Sequence, residues 1–174
     1  LTMHTTHPSA RYLWLGVTAL AIAGLFAIIL VAARTPQLSA FTSLFPVALV
    51  VHVDLSVLMW FLCAGCMGWS ALIVKAGKPW PYWSAAAFYL MAAATALMAL
   101  SPLATPHTVI KSNYIPVLDN AMFHLSLSLL AAGLAVILVE LLVTYARAAD
   151  RRKLSYAELG WLYAGFTTAL RSEE

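Results

Sequence analysis

A chain of 174 residues that is 63% hydrophobic and only 10% charged, with a mean hydropathy of +0.86, lacks the polar side chains to cover a water-soluble globule. Its net charge of +3 comes from basic residues scattered at the ends of apolar runs, a pattern that reports membrane orientation and not a nucleic-acid-binding patch. Lipid is the expected surroundings, and no nucleic acid is expected as a partner.

His4 and His7 form an H-x-x-H ahead of the first apolar run, a spacing more often incidental than metal-binding. The first run, residues 12–33, has no small-residue cleavage site behind a basic start and suits a retained span. Arg34 and Pro36 end it. The second run, residues 45–74, exceeds the roughly 20 residues that cross a bilayer core, so it tilts or protrudes before the turn at Lys75, Gly77, Lys78 and Pro79. The third, residues 82–100, is alanine-rich, which lets helix backbones approach closely in lipid. Residues 101–116 carry three prolines and read as an ordered loop, with His107 free to meet a partner or a heme propionate. Helix resumes after Pro116, and the fourth span, residues 117–146, ends in the basic cluster Arg147, Arg151, Arg152 and Lys153. The expected fold is all-α: an integral membrane bundle of four transmembrane helices over residues 1–150. A tail over 151–174 follows, with a short interfacial helix marked by Trp161, Tyr163 and Phe166. Counting lysine and arginine gives Arg11, Lys75, Lys78, Arg147, Arg151, Arg152, Lys153 and Arg171 on one side and Arg34 and Lys111 on the other. That bias predicts a bacterial cytoplasmic membrane with both termini in the cytoplasm.

Ionisable groups inside spans are costly and need a reason. His52 and His124 each lie about seven residues into a span that runs inward, hence near 10 Å below the outer boundary at about 1.5 Å per residue. Two neutral imidazoles at one depth can supply both axial ligands of a heme iron, though each can equally bond a carbonyl or hydroxyl on a neighbouring helix. On an ideal helix Ser56, Met59, Cys63 and Cys66 fall within about 40° of His52, while Asn120, Ser128, Ala131 and Ala135 lie beside His124, so both histidines are expected to face the interior. Asp54 sits about 200° from His52 and suits a loop-amide contact or a proton path. Glu140, near the basic end, is expected to snorkel or to pair with a neighbouring subunit. Cys63 and Cys66 form a C-x-x-C with no second pair, which favours buried packing over a metal.

The run LFPVALVVHVDLSVLMWFLCAGCMGW, residues 44–69, resembles the second transmembrane helix of the heme-copper oxidase catalytic subunit. RYLWLGVTALAIAGLFAIILVAARTP is similar to that family's first helix and NYIPVLDNAMF, residues 113–123, to the start of its fourth. The resemblance implies that His52 ligates a low-spin heme b. It covers residues 11–146 and stops before the later helices that carry the family's copper ligands, active-site tyrosine and remaining heme histidines, so no copper site is expected on this chain. A second axial ligand from His124 follows from depth alone, and a ligand from a partner chain is equally open.

The expected function is therefore a membrane subunit of a respiratory oxidoreductase complex, holding or helping to hold a low-spin b-type heme for electron transfer among other membrane subunits. The alternative is a cofactor-free accessory or assembly subunit. A transporter reading, with Asp54 and Glu140 as relay carboxylates, is disfavoured because the spans show neither an inverted repeat nor an interrupted helix.

Overall fold

The computed structural model describes residues 8–76, 81–105, 108–110, 116–147 and Gly160. The first span is one helix, α1 (Pro8–Arg34). A 3-10 segment, Pro36–Leu44, with a kink at Leu38, leads into the second span. That span is built in three pieces: α2 (Phe45–Val53), a π-helical segment (Asp54–Met59) and α3 (Trp60–Lys75). The third span is α4 (Pro81–Leu100) and the fourth α5 (Ala121–Arg147). Among the described residues four helices are long and apolar enough to cross a membrane, and the protein is an integral membrane α-helical bundle. Pro36, Pro46 and Pro81 each fall in the first turn of a helix, where the missing N–H would have no partner in any case.

The up-and-down order places the start of α1 and the end of α5 together, at what we term the termini end, opposite a hairpin end. α1 packs along the whole second span, α4 pairs with α5, and α3 meets α5 to join the two halves. Of the most apolar window of each span, 44% is buried in the second but only 17% in α1, so the second span is the core and α1 the rim.

Three expectations change. The second span is interrupted, where an uninterrupted helix is expected from sequence. Its core positions explain the interruption: Val47, Val51, Leu55, Met59 and Cys63 are all buried at a spacing of four. Four such steps drift about 160° around an α-helix, and the extra residue of a π turn takes back about 100°. Next, α5 begins at Ala121 and not at 117, because Val117–Leu118 forms a strand, β2, antiparallel to β1 (Val109–Ile110), with Val109 opposite Leu118. Asn120 then caps α5: its Oδ1 accepts the Phe123 N–H at 2.9 Å, and its Nδ2 donates to the Ser101 carbonyl at 3.2 Å. Residues 101–116, expected as a loop, thus contain a 3-10 turn (Ser101–Leu103) and part of this ladder. The expected interfacial helix, including Trp161, Tyr163 and Phe166, lies outside the described residues apart from Gly160, as do His4, His7 and His107.

The α4–α5 contact is the closest in the bundle for which the glycines report. A Cβ at Gly133 would meet Met91 Cγ at 2.8 Å and the Ala87 carbonyl oxygen at 3.1 Å. Alanine on α4 and glycine on α5 bring the two backbones together, as expected of small residues in lipid.

Candidate functional site

His52 is the eighth residue of α2 and is half-buried against α1. Its Nδ1 lies 2.8 Å from the carbonyl oxygen of Ala23. A carbonyl only accepts, so this nitrogen carries a proton, and in the neutral tautomer the lone pair is on Nε2. A backbone carbonyl holding Nδ1–H is the arrangement that fixes ring and tautomer in metal-ligating histidines. Ala23 itself is 1% exposed, so the accepting carbonyl belongs to a fixed part of α1. One turn toward the hairpin end, α1 and α2 enclose an apolar groove of about 220 Å³, lined by Phe26, Ile29, Val47 and Ala48 and closed by Leu44, Ser43 and Pro102. That volume is below the usual ligand-pocket range of about 300–1,000 Å³, so the groove takes in part of a cofactor at most.

His124 has different surroundings. It is the fourth residue of α5, about 5 Å along the helix and not about seven residues into it as expected, because β2 and the Asn120 cap occupy the positions assigned to helix. Nor does it face the interior. Its side chain is 52% exposed, with Nε2 3.4 Å from Asp119 Oδ1, and Ser128, Ala131 and Ala135 are exposed along the same strip. The buried face of α5 is instead Phe123, Ser126, Leu130, Gly133, Ile137, Glu140, Leu141 and Thr144. The structure does not bring His52 and His124 together. Among the described residues, no three His, Cys, Asp or Glu side chains converge as a metal ion would require.

Among the described residues, two acidic side chains are enclosed. Asp54 begins the π segment and is 1% exposed, with Oδ2 buried and without a hydrogen-bond partner. Glu140 is 3% exposed, and the Ser84 hydroxyl of α4 lies 2.7 Å from both of its carboxyl oxygens. Glu140 therefore neither snorkels nor turns toward a neighbouring subunit, because the Gly133 face of α5 rotates it onto α4. Beside it, Trp83, Val139, Val143 and Arg147 line a cleft of about 140 Å³. Cys63 and Cys66 are free and buried, and the Cys66 thiol meets Met91 Sδ at 3.5 Å, so both serve as packing.

Fold and site together define a helical membrane protein that has, among the described residues, one anchored histidine and two enclosed carboxyl groups. No family model and no solved structure matches the chain. It is similar to a Rickettsia prowazekii (strain Madrid E) protein named Uncharacterized protein RP382, with 35% identity over 173 residues, covering 82% of this chain and 34% of that protein. The chain thus spans about a third of the length of the curated relative it matches.

Proposed function

We propose that this chain is part of a membrane electron-transfer protein of the heme-copper oxidase type, in which His52 is one axial ligand of a low-spin heme b. The observation that carries the reading is the 2.8 Å contact between His52 Nδ1 and the Ala23 carbonyl, which leaves Nε2 as a pre-oriented neutral donor. A bound heme supplies reversible one-electron chemistry at its iron. The chain's own contribution would be to hold the ring through α1, with the apolar groove of Phe26 and Val47 one turn away offering apolar surface to part of a bound group.

The second ligand belongs to helices outside this chain. His124 is exposed beside Asp119, and its strip of Ser128, Ala131 and Ala135 leaves a small-residue face on α5 on which another helix can pack closely. A relative of which this chain covers 34% has room for such helices. The lysine and arginine count supports the termini end as the cytoplasmic one.

The test is a pyridine hemochrome and a reduced-minus-oxidised spectrum of the chain in the assembly with which it co-purifies. Wild type is expected to give a low-spin b-type spectrum and His52→Ala to lose it while still inserting; His124→Ala is expected to keep it. An unchanged spectrum in His52→Ala removes His52 as a ligand. Absence of heme from wild type in the assembly supports a cofactor-free accessory or assembly subunit instead.

A further inference from the structure

At the termini end of the bundle, α4 and α5 leave a cleft of about 140 Å³ lined by Trp83, Val139, Glu140, Val143 and Arg147. Trp83 is 40% and Val139 42% exposed, so on a membrane bundle both side chains stand against lipid. The volume is below the range of about 300–1,000 Å³ for pockets that enclose a small molecule. A lipid, however, lies along a bundle and needs a seat for only part of its glycerol and one acyl chain.

Polarity is graded along the cleft. Arg147 is exposed and is the last residue of α5, while Trp83 is the third residue of α4, so both stand at the termini end. Val143 and Val139 lie about one and two turns deeper. In residues 147–153 four basic side chains, Arg147, Arg151, Arg152 and Lys153, face one acidic side chain, Asp150, in the sequence, and Lys75 closes α3 at the same end. The carboxyl group in the cleft wall, Glu140, is 3% exposed, with both oxygens 2.7 Å from the Ser84 hydroxyl, so it turns onto α4 and not outward. A guanidinium has enough N–H donors to serve a protein neighbour and a phosphate together. An indole at headgroup level, an apolar trough and a basic end match a lipid of negative charge, whereas an apolar helix would fill the trough and leave the basic end unmatched. We propose that this cleft binds an anionic phospholipid, with its phosphate at Arg147, its glycerol beside the Trp83 indole and one acyl chain along Val143 and Val139.

The chain has six tryptophans, and bromine on a lipid chain quenches only the indoles that it touches. The full chain, in the assembly with which it co-purifies, is placed in nanodiscs of one fixed mixture of phosphatidylglycerol and phosphatidylcholine, with either the first or the second lipid brominated. Brominated phosphatidylglycerol is expected to quench more than brominated phosphatidylcholine, and Trp83→Phe to remove the excess. Arg147→Gln is expected to lower the preference about fivefold. Arg34→Gln, which removes a guanidinium held over Phe45 at the hairpin end, is expected to leave it unchanged. Equal quenching by the two lipids overturns the proposal, as does an excess that survives Trp83→Phe or Arg147→Gln. Quenching of Trp83 by neither lipid means that a protein segment covers the cleft and overturns it too. Should Arg147→Gln fail to insert, wild type and Trp83→Phe decide the matter.

Discussion

At single residues the largest consequences attach to polar groups that the bundle encloses. Ser84 has one hydroxyl proton and stands 2.7 Å from both oxygens of Glu140. A double-mutant cycle of Ser84→Ala and Glu140→Gln, read by unfolding in mixed micelles, is expected to give a coupling of about 0.6–2 kcal/mol; additive effects would show that the pair contributes nothing. Asn120 joins two jobs in one side chain, capping α5 and holding the Ser101 carbonyl. Asn120→Ala is expected to cost about 1 kcal/mol for the cap alone, whereas Asn120→Asp keeps the cap and loses the donor to Ser101, so equal losses in the two variants would count against a distinct role for that second bond. Burial of Glu140 was not legible in the sequence. Its position one to two turns before Arg147 fits snorkelling, and only the rotation of α5 set by Gly133 turns it onto Ser84.

Among the elements, the pairing of α4 with α5 and the break in the second span set the shape. Gly133→Ala forces a methyl against Met91 and the Ala87 carbonyl and is expected to destabilise by about 1–3 kcal/mol. Gly24→Ala, where a Cβ meets nothing within 4 Å, is expected to be neutral or to stabilise by about 0.5–1 kcal/mol. Denaturation of the two variants side by side checks the contrast, and equal behaviour would mean that the helices separate without strain. All four spans, their order and their approximate ends were readable from hydropathy, proline and charge. The π segment was written less openly. Apolar residues repeating every four positions from Val47 to Cys63 carry it, but Met59 and Cys63, judged against His52 alone, fit an α-helix. The Val109–Leu118 ladder eluded the reading because two-residue strands leave almost no alternation pattern.

For the molecule as a whole, an equal-depth match between His52 and His124 needs the start of each helix to within a residue or two, a precision that hydropathy lacks. What survives is an asymmetric assembly in which one histidine is anchored within the bundle and the other is exposed at the hairpin end. The anchoring contact also has a timetable. His52 needs only Ala23 of α1, so the ring is set once the first two spans meet, before α4 and α5 pack. Asp54 is walled in on one side by α4 and is closed off only when the third span arrives. A chain in which only the first two spans have packed therefore already holds its histidine in place with its carboxyl still open on the α4 side, which makes the first hairpin the earliest stage at which that ring is presented.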